Sequence, residues 1–388
     1  MAGSEVLTQA AAWVHEMLQP RGPLQLVDGA GQVWRAARGQ RPGDFAVWRE
    51  PPAPQEGLPK LAVRVAGASP PKTAPAFARP ASGCARGLQY SLLRVIGGGS
   101  YGQVWLAQEP QGRLVAIKRA VRERRALEHE AAVLHGLRHG CIADCLDFFR
   151  DAAGVAHMAQ TLACGTLLNL LAAPVERRRT LHALGAMRLG LLAVHAAGYA
   201  HLDLSPCNVL VYADGSVRLA DFGTAQREGE AIRALYIGKR KYRAPELLVG
   251  ALRVDRRMDL WSLGVIGLEL AVRRDSVLLG RTTLQQLLLV LELLGPPPPA
   301  QVQTWLEGAP APALALHWPP TLAGLAPHVL DEAAYRLSVG LLSYDAGARA
   351  EALRAWPQLM RQLRAPPAAP ASRRRTADCG ARKPRRSA

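Results

Sequence analysis

His201-Leu202-Asp203-Leu204-Ser205-Pro206-Cys207-Asn208, followed thirteen residues later by Asp221-Phe222-Gly223, is the stretch that decides how this chain reads. A carboxylate stands five residues ahead of a carboxamide, and a second carboxylate opens a glycine-containing turn. Asp203 can accept or orient the proton of a hydroxyl. Asn208 and Asp221 offer hard oxygen ligands to a divalent cation such as Mg2+. Each residue alone reads as a polar loop group; their order and spacing together point to a phosphate-handling site.

The residues upstream supply what such a site lacks. Gly97-Gly98-Gly99-Ser100-Tyr101-Gly102-Gln103-Val104 fits G-x-G-x-x-G-x-V. Its glycines let backbone N–H groups approach phosphates. A strand follows rather than a helix, so this is not a dinucleotide fingerprint. Val115-Ala116-Ile117-Lys118 then places a lysine on a strand, where it can neutralise the α- and β-phosphates. That lysine needs a carboxylate to hold it. Glu130, on the helix expected over residues 125–137, is the candidate, and Glu128 competes as a solvated helix charge. Downstream, Ala244-Pro245-Glu246 closes a segment that begins at Asp221. Asp259 opens an apolar helix and can anchor the catalytic loop backbone. Arg349, near Asp345, can pair with Glu246, since a buried lone charge would be costly.

With these motifs in order, residues 89–363 resemble a eukaryotic-type protein kinase domain. The fold implied is α+β and bilobal: a small β-rich lobe over residues 89–160 and a larger helical lobe over 161–363. The resemblance implies ATP and Mg2+ in the cleft. It assigns Asp203 and Lys118 to catalysis, and Gly97, Gly98, Gly99, Ser100, Tyr101, Gly102, Val104, Lys118 and Glu130 to the nucleotide. Asn208 and Asp221 would hold the metal. The family hinge falls near residues 158–162, with its gatekeeper at Met158 or Ala159. Tyr242-Arg243-Ala244-Pro245-Glu246-Leu247-Leu248 and the later Gly280-Arg281-Thr282-Thr283-Leu284-Gln285-Gln286-Leu287 resemble the cyclin-dependent and MAP kinase group. There, an arginine in the place of Arg243 goes with Ser/Thr-Pro substrates. Lys239, Arg240, Lys241, Arg256 and Arg257 add an expected positive field at the peptide groove, suiting acidic flanks. His201-Leu202-Asp203, together with the composition, is similar to the serine/threonine kinases shared among herpesviruses, proteins of the virion tegument and host nucleus.

Around this domain the chain changes character. Residues 1–88 read as a leader. Ser4 could cap an amphipathic helix carrying Val6, Leu7, Ala10, Trp13, Val14 and Met17, and residues 51–80 have the Pro/Ala-rich composition of a linker. A partly disordered extension is the favoured reading. Residues 364–388 read as a disordered basic tail, in which Arg373-Arg374-Arg375 and Arg382-Lys383-Pro384-Arg385-Arg386 could engage an import receptor and place the protein in the nucleus. The net charge is +17, and this tail holds much of it. Nucleic acid would be held at most through the tail, because no aromatic residues interleave the charge. Six cysteines without a CxxC pair suggest a reducing, intracellular setting and no zinc site. No signal peptide or membrane span is read.

Three departures stand out. Leu202 replaces the arginine that usually precedes the aspartate. Ser205 stands where a lysine usually touches the transferring phosphate, and Lys239 stands where a threonine is usual. The last two read as a swap, with Lys239 and Ser205 as further catalytic candidates: Lys239 reaching toward Asp203 and the γ-phosphate, Ser205 offering its hydroxyl. A pseudokinase scaffold and a small-molecule phosphotransferase are the competing readings. Every nucleotide and metal residue being present argues against the first; the Ala-Pro-Glu segment argues against the second.

Leucine cannot receive a phosphate. Between Asp221 and Glu246 the only hydroxyl side chains are Thr224, Tyr236 and Tyr242. Phosphatase treatment should therefore leave activity within about twofold, because no loop phosphate would have an arginine to pair with it. A loss larger than about tenfold, restored by rephosphorylation within this segment, would contradict the expectation.

Overall fold

The computed structural model describes residues 90–364, except 99–101, 121–123, 172–176, 234–236, 273–277, 306–320, 323–324 and 326–327. It also gives the backbone of four strands in the leader: β1 (Leu24–Val27), β2 (Val33–Arg38), β3 (Phe45–Arg49) and β4 (Ala76–Phe77). The leader helix expected near Ser4, most of the linker and the basic tail lie outside the described residues. So do Gly99, Ser100 and Tyr101.

Strand alternation builds the small lobe. β5 (Tyr90–Gly98), β6 (Gly102–Gln108) and β7 (Leu114–Ala120) pair antiparallel in sequence order. β8 (Asp147–Arg150) and β9 (Ala156–Thr161) complete a sheet of order β4-β5-β6-β7-β9-β8. Along β7, Val115 and Ile117 are fully buried. They join Tyr90, Leu92, Ala107 and Ala159 in a small core on the outer face. The period of two turns Lys118 to the other face. Its direct partner across the ladder is Met158, while Ala159 faces Ile117. Of the two gatekeeper candidates, Met158 therefore shares the lysine's face. Helix α1 (Arg124–Gly136) packs on that face through Leu127, Ala131 and Leu134, members of the main core that also holds Met158.

The leader departs from its expected form. β1, β2 and β3 pair antiparallel into a separate three-stranded sheet. β4, at the end of the Pro/Ala-rich stretch, pairs with β5.

The large lobe is helical. α2 (Leu167–Leu171) and α3 (Arg177–Ala196) lead to the short strand β11 (Tyr199–Ala200) and then the hairpin β12 (Val209–Val211) and β13 (Val217–Leu219). β10 (Gly165–Thr166) pairs with β12 at the lobe junction. The hairpin turns at Asp214-Gly215, where Gly215 takes a φ of +80°. Beyond β14 (Gln226–Arg227) come α4 (Pro245–Leu248), α5 (Met258–Val272), α6 (Thr283–Leu294), α7 (Pro299–Trp305), α8 (Glu332–Val339) and α9 (Ala346–Arg364). All of α5 is buried, as its nearly all-round apolar surface requires. A side chain at Gly267 would collide with Ser338 of α8, so glycine there permits the close crossing. Thr282 and Asp331 cap α6 and α8 by accepting N–H bonds from Gln285 and Ala334. Pro357 inside α9 cannot donate to the Leu353 carbonyl, and Arg188 of α3 donates to that carbonyl instead, at 3.2 Å. One break in the helix thus becomes a tie between two elements.

The expected Glu246–Arg349 pair is present, at 2.6 Å with both side chains buried. Arg349 also donates to the Arg257 carbonyl at 3.1 Å. Arg349→Ala would leave Glu246 buried without its counter-charge, so unfolding should cost roughly 3–5 kcal/mol less in a denaturant titration. Glu246→Gln with Arg349→Met should cost less than Arg349→Ala alone. Equal stability of Arg349→Ala and the parent would show that the pair holds nothing.

Candidate active site

The site forms where the two lobes meet. From above comes Lys118, from behind Glu130, and from below the loop of residues 201–208 and Asp221. Lys118 Nζ lies 2.6 Å from Glu130 Oε1 and 3.5 Å from Asp221 Oδ1. Burial alone would lower the pKa of this ammonium; Glu130 and then Asp221 outweigh it, and the pKa is raised. Glu130, not Glu128, is thus the partner of Lys118, and Glu128 pairs with Arg150 on the surface. Helix geometry explains the choice. Glu130 shares the buried side of α1 with Leu127 and Leu134, one turn away in each direction.

Asp259 shapes the loop below. Its carboxylate accepts the backbone N–H groups of His201 and Leu202, both at 2.8 Å, and the Nε2–H of His195 at 2.8 Å. Leu202 has a φ of +64°. A non-glycine residue there costs roughly 1–2 kcal/mol, so the backbone stays only because these bonds hold it. Leu202 itself is buried in the main core. His201 donates through Nε2 to the Ala220 carbonyl at 3.0 Å, which joins this loop to the strand end before Asp221. Asp221 is also left-handed, with a φ of +67°.

Asp203 stands at the centre. Its Oδ2 accepts from Asn208 Nδ2 at 2.8 Å and from Lys239 Nζ at 3.0 Å; its Oδ1 accepts the backbone N–H of Lys239 at 2.8 Å. Lys239 Nζ is 3.4 Å from Asn208 Oδ1. The glycine turn begins at Gly97 and Gly98, which face Val104 and Gln103 across the β5–β6 ladder, with Gly102 returning the chain. Asn208 and Asp221 give two oxygen donors, and the Asp221 side chain remains 27% exposed. Two protein oxygens, with the remaining positions left to phosphates and water, suit Mg2+.

Two expectations change. Ser205 does not face the cleft: it is fully buried, and among the described residues its Oγ has no hydrogen-bond partner. The expected positive groove is also largely neutralised. Lys241 pairs with buried Glu269 at 2.5 Å, Arg257 with Asp255 at 2.6 Å, and Arg256 with Glu228 at 3.9 Å; Arg240 donates to the Arg281 carbonyl. Lys241 is thereby fixed within the segment, while Arg256 and Arg257 remain 49% and 44% exposed beside their partners.

Sequence reasoning missed other ties. His129 of α1 donates to the Ala225 carbonyl at 2.6 Å, joining the helix of Glu130 to the segment after Asp221. Thr224 donates to the His201 carbonyl at 3.1 Å. Nothing in the sequence marks His129. Glu269, a carboxylate in the middle of the apolar α5, was a visible sign that a cation must reach it.

This arrangement defines a class. The protein kinase domain family matches residues 90–352, and the chain belongs to that family. It is 31% identical over 224 residues to the mitogen-activated protein kinase HOG1A of Wallemia ichthyophaga, covering 56% of this chain and 61% of that protein. It is 32% identical over 247 residues to cyclin-dependent kinase 20 of Homo sapiens, covering 56% and 66%. A probable serine/threonine-protein kinase, glkA of Dictyostelium discoideum, is 29% identical over 214 residues, covering 54% and 45%. The chain thus spans about three fifths of the MAP kinase relatives it matches.

If Asp259 holds the loop as its bonds imply, Asp259→Asn should free the His201 and Leu202 amides. Charge-assisted hydrogen bonds of about 1.5–3 kcal/mol each correspond to roughly 10- to 100-fold faster amide exchange. Unchanged exchange in a peptide spanning residues 199–208 would show that the loop is held by other means.

Proposed function

We propose that the protein is a serine/threonine protein kinase that moves the γ-phosphoryl group of ATP to a protein hydroxyl. The observation that carries this reading is that ion pairs hold Lys118, Glu130 and Asp221 together, a hydrogen bond holds Asn208 to Asp203, and the His201–Ala220 bond joins the loops that carry them. Lys118, held by Glu130, meets the α- and β-phosphates. Backbone N–H groups of Gly97, Gly98 and Gly102 and the Val104 side chain cover the nucleotide. Asn208 and Asp221 would hold Mg2+, which would neutralise charge on the phosphates. Asp203 orients the incoming hydroxyl and takes its proton. The hydroxyl oxygen bonds to the γ-phosphorus as the bond to the bridging oxygen breaks, and ADP carries that electron pair away. A pseudokinase would not need this full donor set, and a small-molecule phosphotransferase would not need the segment that Arg349 and Glu246 secure.

Substrate choice follows from Arg243. Its guanidinium donates to the carbonyls of Ile237 at 2.8 Å and Gly238 at 2.7 Å. A pocket lined by Asp203, Lys239, Arg243, Ala244 and Leu247 opens beside them. The Gly238 carbonyl accepts from both Nε and Nη2 of Arg243, so its two lone pairs are taken and none is left for an N–H from the residue after the phosphorylated one. Proline has no N–H to leave unpaired, so Ser/Thr-Pro is the favoured site. The cyclin-dependent and MAP kinase relatives agree in class with this reading. The narrower resemblance to herpesvirus kinases rests on residues 201–203 and composition, and nuclear import on the two basic clusters of the tail; both remain proposals of the sequence.

Lys118→Met and Asp221→Ala should each reduce kcat/KM by at least about 100-fold, a loss of roughly 2.7 kcal/mol of transition-state stabilisation. In paired peptides, serine followed by proline should outperform serine followed by alanine, and Arg243→Ala should narrow that ratio. Near-parental turnover in both active-site variants would remove the mechanism. An unchanged ratio in Arg243→Ala would remove the account of proline.

A further inference from the structure

The cleft holds a cation that the usual assignment of roles leaves over. Position 205 carries no charge, and its hydroxyl is sealed away from the cleft. The ammonium of Lys239 instead lies 3.0 Å from Asp203 Oδ2 and 3.4 Å from Asn208 Oδ1. It sits between the group that receives the hydroxyl and a group that would hold the metal. Among the described residues, other cations nearby are committed elsewhere: Lys241 to Glu269, Arg240 to the Arg281 carbonyl, Arg243 to two backbone carbonyls.

The backbone in front of Lys239 is fixed by contacts that only glycine allows. Gly238 has a φ of +67°, and a side chain there would collide with the Leu202 carbonyl oxygen. Arg243 grips the Gly238 carbonyl from the other side. The Lys239 N–H then bonds Asp203 Oδ1 at 2.8 Å. The root of this side chain is thus tied to the loop of Asp203, while the side chain itself is 43% exposed. An ion pair that exposed contributes little stability, so holding the fold together is a poor account of it. A lysine head on a four-carbon stem is a mobile point charge that can follow a moving phosphate.

We propose that Lys239 is a catalytic residue of the transfer: its ammonium contacts the migrating phosphoryl group beside Asp203, in the place that residue 205 leaves without a cation. This rests on the kinase reading above. As the γ-phosphorus leaves the bridging oxygen for the substrate oxygen, negative charge spreads over its equatorial oxygens. Lys239 meets that charge while Asp203 takes the hydroxyl proton. Ser205 contributes no contact to the transferring group.

The test uses the full chain, ATP with Mg2+, and a Ser-Pro peptide. Lys239→Ala should lower kcat by roughly 10- to 1000-fold, the range of a lost oriented donor, with the calorimetric affinity for ATP within about threefold. Lys239→Thr keeps the backbone bond and adds a hydroxyl, yet should stay low because the charge is gone. Lys239→Arg keeps the charge on the same backbone atom and should recover kcat to within about tenfold of the parent. Full kcat in Lys239→Ala, or restored kcat in Lys239→Thr alone, overturns the assignment. So does failure of Lys239→Arg to exceed Lys239→Ala. Lys118→Met in the same series separates the two ideas. A parent that transfers no phosphate sinks the kinase reading itself; an active parent with a dead Lys118→Met and a fully active Lys239→Ala sinks only the role of Lys239.

Discussion

One ammonium between two carboxylates sets the geometry of the cleft. Lys118 belongs to the sheet, Glu130 to the helix behind it, and Asp221 to the loop beneath. Remove the lysine and two negative groups face each other in a poorly solvated place. Remove Glu130 and burial works against the lysine's charge. The three elements therefore meet in one arrangement, in which the lysine lies against both carboxylates and one net negative charge is left to meet a cation. That arrangement is also one in which a polyphosphate finds cation, metal ligands and backbone donors on one side.

The same logic recurs lower down with fewer charges and more backbone. Asp259 replaces solvent for two strained loop amides, and that is what permits Leu202 its left-handed backbone. Leucine at this position removes the usual receiver for a loop phosphate, but the segment is held without one. Gln226 and Arg227 pair with the strand before His201. The Ile232 amide bonds the Leu252 carbonyl, and the Val254 amide bonds the Glu230 carbonyl. His129 reaches across to Ala225 from the helix that carries Glu130. Among the described residues of the segment, these ties all come from the chain itself.

Much of this was legible beforehand, for identifiable reasons. Strands β6 and β7 and helix α1 follow from local pattern, and the pairings of Lys118 with Glu130 and of Arg349 with Glu246 follow from the need to compensate buried charge. β8 and β9 were not read as strands. β9 is buried on both faces from Ala156 to Gln160, which erases the alternation that betrays a strand. The leader's three-stranded sheet was hidden by composition: a Pro/Ala-rich stretch beside it drew the whole region toward disorder. Ser205 was misjudged because burial is a tertiary property, and a serine's neighbours in sequence do not disclose it. Lys241 was misjudged for a related reason, since its partner Glu269 lies in a different element.

The central claim is that these residues transfer phosphate rather than merely hold a nucleotide. The direct measurement is incorporation of the γ-phosphate from labelled ATP into a serine-containing protein by the purified chain, beside Asp203→Asn. That substitution keeps the shape of the side chain and removes its ability to take a proton. Steady incorporation by the parent, with loss of at least about 100-fold in Asp203→Asn at unchanged ATP affinity, is the predicted result. No incorporation by either chain, with ATP bound equally by both, would contradict the account and leave a nucleotide-binding scaffold in its place.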